Sequence, residues 1–182
     1  MSTLILLAAG RSQRFGRDDK LLANAGGRPL AVRTASRIGG GWHGDRVAVT
    51  SSARVAALLQ PLGWRCIANP APERGQASSL VIGVEASDPD SALVIALADM
   101  PGVSAAHVEA IRERTDTDGA AMSCTPDGML LPPAGFAPRW RKALLALSGD
   151  RGAKNVFLQT KGATVELARR DAFDVDVPED MP

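Results

Sequence analysis

Short apolar runs alternate with helical segments along this chain of 182 residues. Residues 4–8 and 92–98 are almost entirely apolar, which is typical of strands buried on both faces of a parallel sheet. Between such runs, apolar residues recur at helical spacing, as at Ala105, Val108 and Ile111. The alternation predicts an α/β fold of three layers, with helices on both faces of a mostly parallel sheet. We expect residues 92–98 to form the central strand and residues 1–182 to form one domain.

The bounds of the predicted elements follow from these runs and from the serine and glycine residues beside them. Strands are expected at 4–8, 46–50, 65–68, 92–98, 120–123 and 164–167. Helices are expected at 29–38, after Ser51 or Ser52, at 76–86, after Ser104 and at 155–159. Phe136, Trp140, Leu144 and Leu147 also fall at helical spacing, and we expect them in the core rather than around a ligand.

A basic loop follows the first strand. It starts at Gly10 and carries four cations, at Arg11, Arg14, Arg17 and Lys20. Small residues at a strand end let the backbone approach a ligand, and exposed N–H groups in such a loop form a concavity for anions. Cationic side chains add charge-assisted hydrogen bonds to phosphate oxygens. The loop therefore predicts a polyphosphate site, although neither G-x-G-x-x-G nor G-x-x-x-x-G-K-[ST] is present. An ordinary basic surface turn is the alternative.

Two acidic positions are candidates for a divalent cation. Asp99 follows the apolar residues 93–98, so its carboxylate is held at the mouth of the sheet and needs a cation or hydrogen-bond donors. Mg²⁺ bound to substrate phosphates would meet that need, whereas a cap on the helix after Pro101 is the alternative. Asp174 and Asp176 alternate with apolar residues, so on a strand both would face the same way and could complete a metal site.

Further polar residues follow the predicted strands. The stretch from Gly75 to Ser79 opens a helix, whose free N–H groups and hydroxyls can bind a base, a sugar or a phosphate. An ordinary serine-rich first turn is the alternative. Ligands of parallel sheets bind beyond the carboxyl ends of the strands, so the basic loop, Asp99 and residues 69–79 are expected to converge on one crevice.

Five motifs occur in order along the chain at predicted strand ends and loops. They are Leu7-Ala8-Ala9-Gly10-x-Ser12-x-Arg14-Phe15-Gly16 with Asp19-Lys20-Leu21-Leu22; Asn69-Pro70 leading to Gly75 and Ser78-Ser79-Leu80; Leu97-Ala98-Asp99-Met100-Pro101-Gly102-Val103; Gly149-Asp150-Arg151-Gly152-Ala153-Lys154; and Asp174-Val175-Asp176-Val177-Pro178-Glu179-Asp180. Together they resemble the MobA/MocA-like nucleotidyltransferases of the NTP transferase superfamily, which act on molybdenum cofactor.

The resemblance implies a Rossmann-like nucleotidyltransferase fold and transfer of NMP from an NTP to a molybdopterin-type phosphorylated acceptor, with release of pyrophosphate. Ala9 stands where guanylyl-type members have glycine, which favours CTP while leaving GTP open. The resemblance assigns catalysis to Arg14, Lys20 and Asp99, and Mg²⁺ to Asp99 and Asp176. The nucleotide-binding residues that it implies are Leu7, Ala8, Ala9, Gly10, Arg11, Ser12, Arg14, Lys20, Asn69, Gly75, Ser78, Ser79 and Asp99. It also implies transient contact with a molybdoenzyme or its chaperone.

The acceptor stays open for a specific reason. Leu131 stands where family members often have the glycine of a Gly-x-Pro segment near the acceptor, and leucine cannot provide the same close backbone approach. A sugar phosphate or another small phosphorylated molecule is therefore an alternative acceptor. A cofactor carrier without catalytic activity is a second alternative. The stretch 149–154 would lie near the acceptor, with Lys154 as a candidate phosphate contact.

Composition excludes several classes of function. The formal net charge is +1, aromatic residues make up 4% and tyrosine is absent, so no nucleic-acid partner is expected. The first apolar run is too short to span a membrane, and none is expected as a partner. Cys66 and Cys124 lack C-x-x-C spacing, and reduced thiols suit a cytoplasmic protein. His43 and His107 are expected on the surface, and no Ser–His–Asp arrangement is indicated.

Overall fold

The computed structural model describes residues 1–10, 19–175 and 180. The strands are β1 (Ser2–Ala8), β2 (Asn24–Ala25), β3 (Arg28–Pro29), β4 (Asp45–Thr50), β5 (Arg65–Ala68), β6 (Ala92–Leu97), β7 (Ala120–Cys124), β8 (Leu130–Phe136) and β9 (Ala163–Glu166). The helices are α1 (Leu30–Gly39), α2 (Ala53–Leu59), α3 (Gln76–Glu85), α4 (Ala105–Asp118), α5 (Arg141–Leu145) and α6 (Ala153–Phe157). None of these helices is long and apolar enough to cross a membrane.

A seven-stranded sheet organises the described part of the chain, in the order β5-β4-β1-β6-β8-β7-β9. Strand β1 pairs in parallel with β4 and β6, β4 pairs in parallel with β5, and β7 pairs in parallel with β9. Strand β8 is antiparallel to both of its neighbours, β6 and β7. The prediction of a mostly parallel sheet is confirmed, with β6 as its central strand.

The sheet lies between two helical layers, because its strands are apolar on both faces. Along β1, Leu4 and Leu6 pack with α1, α2 and α4, while Ile5 and Leu7 pack with α3, α5 and α6. Successive side chains of a strand point to opposite faces, so one continuous apolar run supplies both cores. The three-layer α/β fold predicted from the sequence is therefore confirmed.

Capping residues set several helix boundaries where the sequence predicts them. The Ser52 and Ser104 hydroxyls accept hydrogen bonds from the N–H groups of Val55 and His107, three residues into α2 and α4. Helix α4 ends at Gly119, whose φ of 79° lies in the left-handed region that glycine adopts readily.

The four apolar residues from Phe136 to Leu147 fall at helical spacing in the sequence but do not lie on one helix. Residues 130–136 form strand β8, and Phe136 is its last residue, whereas Trp140 ends a 3₁₀ turn (Pro138–Trp140) and Leu144 lies in α5. The prediction that these side chains belong to the core holds, because Phe136 and Leu144 are fully buried and Trp140 and Leu147 pack against them. Residues 173–175 also differ from the prediction, since they are not part of a strand.

His107 is half-buried, contrary to the expected surface position. Its Nε2 lies 2.8 Å from the Ser123 hydroxyl, which donates its own proton to the Pro133 carbonyl at 3.0 Å. His107 is therefore the donor and carries its proton on Nε2. Burial lowers the pKa of His107, and the nearby Asp171 carboxylate opposes that effect only in part. The residue is a half-buried, hydrogen-bonded histidine that ties α4 to β7.

Because the pKa of His107 is lowered in the folded protein, we expect the protein to lose stability in acid. That pKa lies below the ordinary 6.5, so the unfolded chain binds the proton more readily. The contribution of His107 to stability is complete above pH 6.5 and decreases as the pH falls below that value. Urea unfolding should show that lowering the pH from about 8 to about 5 reduces the free energy of unfolding less for His107→Gln than for the wild type. The exposed His43, changed to Gln, is the matched control, and equal losses in all three proteins would contradict this account.

Candidate active site

A cleft of about 470 Å³ opens where β1 and β6 end. Residues 9, 10, 20 and 21, which follow β1, line it together with residues that lead into α3. The residues that line it are Leu7, Ala9, Gly10, Lys20, Leu21, Pro72, Glu73, Gly75, Gln76, Ser79, Leu97, Asp99 and Asp150. This is the crevice at the carboxyl ends of parallel strands in which such folds bind ligands.

An ion pair between Lys20 and Asp99 lies in the cleft. The Lys20 ammonium donates to Asp99 Oδ2 at 2.7 Å and to the Val175 carbonyl at 2.9 Å. Lys20 is only 7% exposed, although lysine is rarely buried unless paired. Asp19 orients it locally, because the Asp19 carboxylate accepts the Leu21 N–H and caps the short 3₁₀ turn Lys20–Leu22. Two residues 79 positions apart in sequence thus share one charged centre.

Burial dominates the electrostatics of Asp99. It raises the pKa of the carboxyl group, the Lys20 ammonium opposes that rise, and Asp174 adds a smaller effect in the same direction as burial. The carboxylate is therefore a partly desolvated anion that depends on a neighbouring cation. A site of this kind favours further positive charge at its open side.

The start of α3 is joined to the loop after α5. Gly75 has a φ of 90°, and a Cβ at this position would lie 2.5 Å from the carbonyl carbon and oxygen of Gly149. The Ala77 N–H donates to the Gly149 carbonyl at 3.0 Å. Asp150 lies against Gly75 and also lines the cleft. Two motifs that are separate in sequence therefore form one wall of the site.

Asn69 supports this wall from behind. It is 3% exposed, and its side-chain amide donates to the hydroxyls of Ser78 and Ser79, at 2.9 Å each. The side-chain oxygen of Asn69, Oδ1, accepts a hydrogen bond from the Ala71 N–H at 2.9 Å. The Asn69 side chain is thus engaged within the protein and fixes the first turn of α3. The structure gives Asn69 a supporting position at the start of α3, and its predicted contact with a nucleotide stays a prediction.

The predicted site residues divide into three groups. Those that line the cleft are Leu7, Ala9, Gly10, Lys20, Gly75, Ser79 and Asp99. Ala8, Asn69 and Ser78 are described but do not line it. Arg11, Ser12, Arg14 and Asp176 lie outside the described residues. The proximity of Lys20 and Asp99 agrees with the crevice expected from the sequence.

Sequence reasoning missed several lining residues, namely Leu21, Pro72, Glu73, Gln76, Leu97 and Asp150. All of them lie within or between the motifs, so the positions carried a signal. The segment Leu131–Phe136, considered for the acceptor, is not among the lining residues. It belongs to β8, where Leu131 pairs with Ser123.

The donor set fits a divalent cation that arrives with its substrate. Within residues 1–10, 19–175 and 180, no three His, Cys, Asp or Glu side chains are grouped to hold a metal. Asp99 nevertheless offers a carboxylate at the cleft, and Lys20 donates to its Oδ2. Mg²⁺ typically takes one or two protein carboxylates together with substrate phosphates and water. Asp99 therefore suits a phosphate-bound Mg²⁺ better than a permanent metal centre.

Comparison with known proteins identifies the family. The model of the MobA-like NTP transferase domain matches residues 4–165. The chain belongs to this family. A probable molybdenum cofactor guanylyltransferase from Natronomonas pharaonis is 31% identical, covering 98% of this chain and 94% of its own. The nicotine blue oxidoreductase of Paenarthrobacter nicotinovorans is 30% identical, covering 98% of this chain and 91% of its own.

A solved structure supports the fold. A nucleotidyl transferase from Methanothermobacter thermautotroptrophicus superposes with a TM-score of 0.84 at 22% identity, covering 99% of this chain and 94% of its own. At that identity the likeness shows the fold alone. Fold and family are thus those of nucleotidyltransferases, and the Rossmann-like arrangement implied by the motifs is confirmed.

The contact between Gly75 and Gly149 can be tested by substitution. Gly75→Ala places a Cβ against the Gly149 backbone, whereas Gly128, with a φ of 88°, has no atom within 4 Å of a Cβ at its position. Both glycines have a positive φ, but only Gly75 faces a neighbouring backbone, so Gly128→Ala is the control for alanine at a positive φ. We expect Gly75→Ala to reduce the free energy of unfolding by about 1–3 kcal/mol more than Gly128→Ala. It should also weaken NTP binding, measured by calorimetry. Equal losses in urea unfolding would contradict the close contact.

Proposed function

We propose that this protein transfers a nucleotidyl group from an NTP to a molybdopterin-type phosphorylated acceptor and releases pyrophosphate. The observation that carries the proposal is the Lys20–Asp99 pair, buried at the carboxyl ends of β1 and β6 in a cleft of nucleotide size. Family membership supports the same chemistry. The acceptor follows from the motifs and from the name of the Natronomonas relative.

The reaction is a single displacement at phosphorus. An oxygen of the acceptor phosphate attacks the α-phosphorus of the NTP and forms a new P–O bond. The bond between the α-phosphorus and the oxygen that bridges to the β-phosphate breaks, and its electron pair leaves with pyrophosphate. No covalent bond to the protein is needed, so positioning and charge neutralisation are what the residues must supply.

Lys20 and Asp99 have complementary roles in this proposal. Lys20 holds its ammonium at the cleft, where it can donate to phosphate oxygens of the bound NTP. Asp99, together with those phosphates, would hold Mg²⁺, which would neutralise the charge that develops on the leaving pyrophosphate. Arg14 and Asp176, outside the described residues, are proposed as a further phosphate contact and a second metal ligand.

The lining of the cleft favours a base with an exocyclic amino group. Glu73 and Asp150 place two carboxylates at the wall near the start of α3. Carboxylates accept hydrogen bonds, which the exocyclic amino groups of cytosine, guanine and adenine can donate and the corresponding oxygen of uracil cannot. Ala9 favours CTP, and the name of the Natronomonas relative keeps GTP as the alternative. We therefore propose CTP first and GTP second.

One observation supports a different activity. The Paenarthrobacter relative, called an oxidoreductase, matches this chain at nearly the same identity and coverage as the guanylyltransferase. Oxidoreduction is therefore the rival function. The match of residues 4–165 to the MobA-like NTP transferase domain favours nucleotidyl transfer, which remains the preferred proposal.

A turnover panel tests the proposal. Each of the four NTPs is incubated with the protein and Mg²⁺. The acceptor is molybdopterin, a set of sugar phosphates or none, and the release of pyrophosphate is measured. We expect release with CTP or GTP only when molybdopterin is present. Release with sugar phosphates but not with molybdopterin would show that the acceptor is a sugar phosphate. Absence of release with every NTP would contradict the proposed transferase activity. Parallel assays of dye reduction by NADH and NADPH test the rival.

A further inference from the structure

We propose that residues 171–175, here called the carboxyl-terminal strap, position Asp99 and Lys20 for metal–nucleotide binding. The match to the family model ends at residue 165, and the end of the strap overlaps the last of the five motifs, which begins at Asp174. The strap contacts both members of the charged pair through its backbone. This inference rests on the proposed function, because it concerns how the same site is held.

The strap packs closely on the loop that carries Asp99. A Cβ at Gly102 would lie 2.5 Å from the Asp171 carbonyl oxygen and 2.7 Å from Asp171 Cα. No side chain fits between the two backbones, so glycine at 102 permits the strap to lie directly against the loop after β6. The start of the strap is thereby fixed three residues from the catalytic acid.

Val175 forms the other end of the contact. Its side chain is fully buried in the core that includes Val103 and Leu167. Its N–H donates to the Asp99 main-chain carbonyl at 2.9 Å, and its own carbonyl accepts from the Lys20 ammonium at 2.9 Å. One residue thus bonds to the backbone of the acid and to the side chain of the cation. An apolar anchor sets the position of both polar contacts.

These contacts have a consequence for Asp99. The Val175 N–H fixes the main chain at Asp99, and the Val175 carbonyl holds the Lys20 ammonium, which donates to Asp99 Oδ2. The strap therefore sets the relative position of the two charged groups at the cleft. Loosening the strap should displace the Asp99 carboxylate from the position in which it would bind a cation.

The test compares two truncations in the same core. Val175→Ala removes the anchor of the strap, whereas Leu167→Ala removes a buried side chain from that core outside the strap. Binding of Mn²⁺ to the full-length protein is followed by electron paramagnetic resonance in the presence of CTP or GTP. We expect Val175→Ala to weaken Mn²⁺ binding by about tenfold or more, as for other residues that support metal ligands. Leu167→Ala should change it less than about twofold, even where urea unfolding shows an equal or larger loss of stability.

A second variant covers the case in which Val175→Ala does not fold. Gly102→Ala displaces the strap from its other end and should weaken Mn²⁺ binding in the same way. Equal Mn²⁺ affinities for the strap variants and Leu167→Ala would overturn the strap while leaving the transferase intact. Absence of nucleotide-dependent Mn²⁺ binding by the wild type would instead overturn the proposed function itself.

Discussion

Replacing Asp99 by asparagine is expected to lower the rate of pyrophosphate release by about 10²- to 10³-fold, the loss typical for a group that stabilises developing charge. Asparagine keeps the size of the side chain but lacks the negative charge that would hold Mg²⁺ with the NTP phosphates. The Lys20 ammonium also loses its ion pair with Asp99. The measurement is pyrophosphate release at saturating NTP and acceptor, with wild-type and variant proteins compared at one Mg²⁺ concentration.

The matched control is Asp45→Asn. Asp45 is an acid at the opposite end of the sheet, at the start of β4, and its side chain is 45% exposed in a pair with Arg65. Asp45→Asn should leave turnover unchanged. Wild-type turnover in Asp99→Asn would contradict the assignment of the metal ligand. A cofactor carrier without catalytic activity would deliver its cofactor normally with this substitution, so delivery assays on the same variant separate the carrier from the enzyme.

Replacing Lys20 by methionine should reduce the free energy of unfolding by about 3 kcal/mol, the lower end of the range for breaking a buried ion pair. The variant leaves the Asp99 carboxylate, with 21% side-chain exposure, without its main cation. Methionine has similar bulk, so a cavity is not the cause. Urea unfolding at constant pH measures the effect. Asp45→Asn, which disrupts an exposed pair, should cost less than about 1 kcal/mol.

The double variant Lys20→Met with Asp99→Asn decides whether charge causes this loss. Each single substitution removes one member of the pair and leaves the other, whereas the double substitution removes both. We therefore expect the double variant to lose less stability than the sum of the two single variants, with a coupling of about 1–3 kcal/mol. Strict additivity would show that the two side chains contribute independently, despite the 2.7 Å between them.

The fold could be predicted because its signals are local and repeated. Strands buried on both faces, such as β1 and β6, require apolar runs, and the helices between them begin at capping serines such as Ser52 and Ser104. Strand β8 could not be predicted in this way. It contains Pro132 and Pro133, which are unusual within a sheet, and Gly135.

Tertiary contacts explain why this unusual strand is accommodated. The register with β7 shifts between Met122 and Ser123, beside the prolines. A Cβ at Gly135 would lie 1.9 Å from the Thr115 hydroxyl, so glycine lets α4 pack on the strand. Both reasons lie in neighbouring elements, and no window of sequence around residues 130–136 contains them.

The candidate site shows the same division. The motifs and the predicted strand ends were enough to predict that Lys20 and Asp99 lie in one crevice, because both residues follow strands of a parallel sheet. They could not show that these side chains pair with each other, or that Asn69 turns its amide toward Ser78 and Ser79. Hydrogen-bond partners depend on side-chain direction, which spacing along the chain does not determine.

The junction of Gly75 with Gly149 has a practical consequence for protein engineering. The resemblance places residues 149–154 near the acceptor, and they are therefore the natural target for libraries that seek new acceptors. The Gly149 carbonyl, however, accepts the hydrogen bond from the Ala77 N–H in the first turn of α3. Randomising that loop alone would alter nucleotide affinity along with acceptor choice, so selections should diversify both loops together and score NTP use separately.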